Sequence, residues 1–212
     1  MAQIPTFRSR VVRAGIALAL VVAPLTVEAT TDHAAARTQA AISSLSGRDR
    51  DDLQQAVNAQ LAAGKGGRQT AQNEITYPDG AVVVLPLPGS DVAPRWSGDH
   101  RDLRITTDPD WHNCPTPSGS EPSYYCFYSE KDWGGRRLQF NFAHEDKPVD
   151  FNDYGFRKQT SAWVNTTSGL AIVVDKDAGS GKWMLLWREE PQSMSRTVAQ
   201  DKAADRFWAV RA

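Results

Sequence analysis

Two cysteines, three methionines and four histidines are all that 212 residues hold of thiol, thioether and imidazole chemistry. Cys114 and Cys126 stand in a C-x11-C spacing, which supplies neither the four ligands of a structural zinc site nor the C-x-x-C of a redox centre. His33, His100, His112 and His144 form no H-E-x-x-H and do not fall at metal spacing from the cysteines, so they are read as solvated loop residues. His112 beside Asp110 is the one pair that has the composition of a general base. Net charge is equally scarce: 24 basic against 25 acidic side chains leave −1, which excludes a global field for nucleic acid or an anionic membrane. No G-x-S-x-G occurs, and in AGSGKW a phosphate loop fails because Lys176 replaces the first glycine and Trp183 the hydroxyl residue, so a β-turn is expected there. Aromatic residues are almost missing from the first half, where only Phe7 and Tyr77 precede Trp96. The core therefore belongs to the second half, and a composition of 41% hydrophobic and 23% charged residues is enough to build one.

Long apolar runs are confined to the start of the chain. Arg8, Arg10 and Arg13 precede an apolar stretch from Gly15 to Val27, and Val27-Glu28-Ala29 has the small residues of a cleavage site. Residues 1–29 are expected to be a secretory signal peptide. The stretch contains Pro24 and falls short of the roughly 20 residues that span hydrocarbon, and no Arg-Arg pair in it marks the twin-arginine route. In an exported chain an even pair of cysteines means a disulfide, here Cys114–Cys126. It closes a loop, PTPSGSEPSYY, in which Pro115, Pro117, Gly119 and Pro122 forbid a helix.

Residues 30–72 read as a polar arm with one helix, its first turn capped by Asp49, its stripe made by Leu53, Val57 and Leu61, its end set by Gly64, Gly66 and Gly67. So narrow a stripe implies a helix either docked on the main domain or marginal alone. Residues 73–113 read as a hairpin and a connector: NEITY and AVVVLPL flank the turn Pro78-Asp79-Gly80, and Pro86 and Pro88 close the second strand. Residues 114–212 alternate in short runs. Tyr124, Cys126 and Tyr128 share one strand face and Tyr125 and Phe127 the other. Leu138, Phe140 and Phe142 repeat the pattern, and further strands are predicted over 161–165, 170–175, 183–187 and 207–210, in an antiparallel sandwich without long helices.

The run CFYSEKDWGGRRLQF places Tyr128, Trp133 and Gly135 in the pattern aromatic-x4-aromatic-x-Gly. It resembles the folded hairpin of the βγ-crystallin Greek key, in which the first aromatic packs over the hairpin and the glycine takes a positive φ. DYGFRKQTSAWVN resembles the strand that closes such a motif. Together with the leader, the NEITYPDGAVVV hairpin, the cysteine pair and the terminal DKAADRFWAV, these runs resemble the secreted βγ-crystallin-like proteins of actinomycetes grouped as the metalloproteinase inhibitor family. The resemblance implies a mostly β, antiparallel Greek-key sandwich with a short N-terminal helix and β-hairpin. A second motif is degenerate, with Val174, Gly179 and Gly181 in the three places.

Calcium-binding relatives carry Asp/Asn-Asp/Asn-x-x-Ser/Thr-Ser. Here Thr160 and Ser161 match its end while Phe156 and Arg157 replace its oxygen donors, so no metal and no cofactor are expected. Trp163, Trp183, Trp187 and Trp208 are expected mostly in the core, Asn165-Thr166-Thr167 is a glycosylation sequon, and Arg136-Arg137 reads as surface charge. No catalytic residue is assigned. The resemblance implies inhibition of an extracellular metalloprotease, with the loop around Pro115, Pro117, Gly119 and Pro122 as the candidate contact. A carbohydrate or cell-surface binding module and a structural extracellular module are the alternatives.

Overall fold

The computed structural model describes residues 33–98, 110–116, 124–141 and 147–212. All belong to the compact unit Thr31–Ala212. The other unit, Met1–Thr30, which holds the expected signal peptide, lies outside the described residues. So do His100, His144, Phe142 and the loop residues Pro117, Gly119 and Pro122.

Two helices open the unit, α1 (His33–Ser43) and α2 (Gly47–Ala63). The sequence announces only the second, because α1 has no periodic apolar stripe. The cap of α2 is Ser46 and not Asp49: Ser46 Oγ accepts from the Asp49 N–H at 3.2 Å and donates to the Asp49 carboxylate at 2.7 Å. Leu53 and Val57 are buried and Leu61 packs beside them, so the narrow stripe docks on the β-domain core. A close approach secures the far end of the helix. Gly155, at φ +60°, lies so near α2 that a Cβ would come within 2.8 Å of both the Ala63 Cβ and the Gln60 Nε2. Gln60 then donates to the Tyr154 carbonyl at 2.6 Å.

The strands are β1 (Arg68–Ala71), β2 (Glu74–Thr76), β3 (Val82–Val84), β4 (Tyr125–Tyr128), β5 (Arg137–Phe140), β6 (Val149–Asp150), β7 (Ala162–Asn165), β8 (Leu170–Gly179), β9 (Lys182–Glu189), β10 (Ser193–Ser195) and β11 (Arg206–Arg211). They form two antiparallel sheets of order β1-β2-β3-β5-β4-β7-β10 and β6-β11-β8-β9. The order has an internal symmetry. Strands β4 to β7 and β8 to β11 are two four-strand units, and each places its first, second and fourth strands in one sheet and its third in the other. That exchange of third strands makes two Greek keys share one core, the βγ-crystallin-like sandwich. The hairpin β2–β3 extends the first sheet, with Val82, Val83 and Val84 opposite Gln139, Leu138 and Arg137. Strands β1, β6 and β10 are too short or too polar to show in the sequence.

Alternation sends Tyr125, Phe127, Leu138 and Phe140 inward, where Phe127 meets Phe151 at 4.8 Å between ring centres and Phe140 meets Phe207 at 4.8 Å. The outer face of the first sheet is covered as well. Cys126, Tyr128, Ala162 and Val164 pack with Cys114, Trp111 and Trp133, and Val82 and Val84 pack with Ala93 and Trp96. This covering corrects the reading of Arg136-Arg137 as surface charge. Arg137 lies under the connector, donating to the Gln139 side chain (3.0 Å) and to the carbonyls of Ala93 (3.3 Å) and Pro94 (3.0 Å). Half-buried Arg136 donates to the side chains of Gln60 and Gln159.

Candidate functional site: the base of the stapled loop

The disulfide joins Cys114 to Cys126 with 5.9 Å between Cα atoms, and both cysteines are buried. Because Cys126 lies inside β4, the staple fastens the loop to a central strand of the larger sheet and not to another loop. A turn leads in: Cys114 N–H donates to the Trp111 carbonyl at 2.9 Å, while His112 and Asn113 take φ of 51° and 64°. Such left-handed residues persist only where their surroundings hold them. Here Asn113 Nδ2 donates to the Ala93 carbonyl at 3.0 Å, and the Tyr128 hydroxyl donates to the His112 carbonyl at 2.8 Å. Burial pushes the Tyr128 hydroxyl far above its ordinary range, so it stays a donor at every physiological pH.

The two ends of the loop meet at one side chain. Thr166 Oγ1 accepts from the Tyr124 N–H at 3.0 Å and sits 3.0 Å from the Pro115 carbonyl and 2.8 Å from that of Tyr124. Thr166 N–H also donates to the Tyr124 carbonyl at 2.9 Å. Sequence reasoning missed this clamp because Thr166 reads as the middle of a sequon. The sequon is itself corrected: Asn165 is buried and its Nδ2 donates to the carbonyls of Leu170, Glu189 and Glu190, which leaves no nitrogen accessible to a glycan.

Beside the staple, Gly135 has φ +71° and its N–H donates to the Asp91 carbonyl at 2.7 Å; a Cβ there would collide with Ser129 Oγ. Ser129 Oγ in turn accepts from the Arg136 N–H at 2.9 Å. Trp133 donates through Nε1 to the Trp163 carbonyl at 3.3 Å and stacks on His112, with 3.4 Å between ring centres. His112 is therefore not the freely solvated loop histidine expected. Its Nδ1 is 4.0 Å from Asp110, and burial under Trp133 lowers its pKa from 6.5 despite that carboxylate. The ring faces an indole and not a cleft, which is no arrangement for a general base.

The second constellation lies around Thr160 and Ser161. Phe156 is buried in the core and Arg157 bonds Asp205. The Ser161 hydroxyl lies 3.1 Å from the Ser129 carbonyl and within reach of Asp201, and its hydrogen bond to that carboxylate, helped by Lys131 at 3.5 Å, holds the Asp201 carboxyl below its ordinary range. Lys131 and Arg157 thus pair with the carboxylates of Asp201 and Asp205, and with a phenyl ring and a guanidinium at 156 and 157 the residues present do not fit a hard divalent ion. Among the described residues no cluster of three or more histidine, cysteine or acidic side chains is arranged for a metal.

Of the tryptophans, Trp163 is buried and Trp187 packs against the core, as expected. Trp208 is half-buried on the face of β11 opposite Phe207 and Ala209, and Trp183 departs further. It lies exposed on β9 with the Arg206 guanidinium stacked 3.5 Å over its ring, and the same guanidinium lies 5.3 Å from Trp208. In AGSGKW, Ser180 and Gly181 take φ of 54° and 72°, the turn between β8 and β9, and nothing there cradles a phosphate.

A two-Greek-key sandwich with a disulfide-fastened loop is the class of protein these features define. Residues 108–186, which contain the staple, the folded hairpin and the clamp, match the profile of peptidase inhibitor family I36. No curated protein matches the chain. Among solved structures it is similar to a βγ-crystallin from Ciona intestinalis (17% identity, 40% of this chain and 96% of that chain, TM-score 0.30). It is also similar to a βγ-crystallin domain of Abundant Perithecial Protein from Neurospora crassa in the Ca2+-bound form (11%, 45% and 96%, 0.31). A structure bearing on the evolution of the eye-lens βγ-crystallin domain fold matches in the same way (14%, 46% and 93%, 0.33). At these scores it is the strand order, and not superposition, that carries the description of the fold.

Proposed function

We propose that the protein is a secreted, non-catalytic inhibitor of an extracellular metalloprotease, presenting the loop between Cys114 and Cys126 to the protease. The match of residues 108–186 to a peptidase inhibitor family carries this reading. The choice of a metalloprotease comes from the sequence resemblance. Export is supported by the disulfide, which persists in oxidising compartments, and by residues 1–29, read as a removable leader. The way the loop is held suits the task. Its ends are fixed by the staple and by Thr166, and its Pro115, Pro117 and Pro122 limit the conformations it can lose, so less entropy opposes binding. An inhibitor of this kind needs no catalytic group, and His112 under Trp133 offers none. The test is titration of a panel of extracellular proteases with the unreduced protein. Stoichiometric loss of metalloprotease activity is expected, and an uninhibited panel overturns the proposal.

One observation favours a second reading, a carbohydrate or cell-surface binding module: Trp183, an aromatic in the open, is what a sugar ring stacks on. Retention on peptidoglycan or insoluble polysaccharide, lost on Trp183→Ala, would support it over inhibition.

A further inference from the structure

We infer that strand β9 is a dimerisation edge, pairing antiparallel with β9 of a second copy of this chain to make one continuous sheet. The internal symmetry of the fold leads to this conclusion. In the first sheet the strand in second place of its Greek key, β5, would be an edge, but β3 pairs along it. In the second sheet the strand in the same place is β9, and among the described residues it pairs only with β8, ending the order β6-β11-β8-β9. Among the described residues, one of two equivalent edges is therefore covered by the chain and the other is open. An open edge presents a row of unpaired backbone donors and acceptors, which natural proteins blunt by shortness, charge or proline. This edge is eight residues long, holds no proline, has the sequence Lys-Trp-Met-Leu-Leu-Trp-Arg-Glu, and carries one bulge, at Leu186 opposite Val174 and Asp175, in its ladder with β8.

Its side chains point the same way. Trp183, Met184 and Leu185 are 43%, 46% and 59% exposed, the only run of consecutive exposed large apolar residues among those described. Neighbours along a strand face opposite sides, so the exposure extends over both faces of the edge, as it would where another strand is to be added. The charges choose the occupant. Lys182 begins the strand and Glu190, which holds Arg188 at 2.8 Å, follows its end, and all three are exposed. Antiparallel pairing with a second copy, centred near Leu185 and Leu186, brings the Lys182 end of each strand beside the Glu190 end of the other. Apolar side chains meet between them. A two-fold pairing of this kind is isologous and closes at two chains, so it gives a dimer and not a fibre.

The experiment is sedimentation equilibrium of the unreduced protein from about 1 to 100 μM, a range that brackets a micromolar Kd. The mass should rise from one chain toward two. Leu185→Lys and Met184→Lys should each weaken the association at least tenfold with the melting temperature kept, whereas Val92→Lys, at an exposed apolar position elsewhere, should leave it unchanged. Amide exchange over 183–187 should slow as concentration rises. A single-chain mass at every concentration, or a dimer indifferent to both β9 substitutions or without slowed exchange at β9, overturns the inference.

Discussion

Arg157 closes on Asp205, Nε to Oδ1 at 2.5 Å, setting a partly exposed guanidinium on a buried carboxylate. The other Asp205 oxygen accepts from the Asp177 N–H at 2.8 Å, so the carboxylate is fully engaged and its side chain is nearly all buried. The guanidinium of Arg157 thus supplies the positive charge that this buried carboxylate needs. Millimolar calcium should therefore leave the melting temperature within about 1 °C, since a ligand stabilises only what it binds. Arg157→Ala should cost about 1–2 kcal/mol, reduced from the value for a buried pair because the arginine is partly exposed. Thermal denaturation with and without the ion measures both, and a rise of several degrees would show that the site accepts calcium.

Gly135→Ala should destabilise by about 1–3 kcal/mol, adding a steric cost to that of the positive φ. The steric part has a named cause, the collision with Ser129 Oγ. Denaturant unfolding of Gly135→Ala and of the double variant with Ser129→Gly checks it. Because Ser129 Oγ also accepts from the Arg136 N–H, the Ser129→Gly single variant is the reference: Gly135→Ala should cost less in that background than in the parent, and an equal cost in both would move it to φ alone.

The folded hairpin and the faces of β4 were legible in the sequence because alternation and a glycine that must turn are local signals. Gly135, at φ +71°, is such a glycine. What was not legible depends on contacts distant along the chain. Arg137 looks like surface charge until the connector carrying Ala93 and Pro94 is seen lying over it. Thr166 looks like part of a sequon until Pro115, far away in sequence, comes to its hydroxyl. The exposure of Trp183 follows from β9 being an edge, and strand order is not written in periodicity.

Glu189 gives a pH dependence with a definite sign. It is buried, its Oε1 accepts from Trp187 Nε1 at 3.0 Å, and its Oε2 has no partner among the described residues. Burial raises its pKa well above the ordinary 4.5, so the folded protein holds the proton more tightly than the unfolded chain. From this group, stability is greatest below about pH 4.5 and falls as pH rises through the folded-state value. Asp201, with a lowered pKa, acts in the opposite sense but only below about pH 3.8, and His112, also lowered, makes stability rise with pH up to about 6.5. Subtracting the Glu189→Gln stability curve from that of the parent isolates the first effect. The difference should grow in favour of the variant as pH rises above 4.5, and a flat difference would contradict it.

Thr166→Val removes the hydroxyl and keeps the shape. Tyr124 N–H then lacks its acceptor, and about 1–2 kcal/mol of stability should go with it. If the clamp positions the loop, inhibition should weaken about tenfold, beyond any change in the amount of folded protein. Matched inhibition by the folded variant would make Thr166 purely structural.

The most direct measurement of the account is inhibition of a metalloprotease by the intact protein against a Cys114→Ala/Cys126→Ala variant shown to be folded by near-ultraviolet circular dichroism. The core comes from the aromatic strands, so the variant should fold, with a stability loss of roughly 3 kcal/mol from the opened loop. Each loop residue that must be reordered on binding costs about 1–2 kcal/mol, so freeing two or three of them should weaken inhibition about a hundredfold or more. Tight inhibition by the intact protein and loss of it in the folded variant is the predicted result. Equal inhibition by both would place the contact outside the stapled loop, and inhibition by neither would contradict the account as a whole.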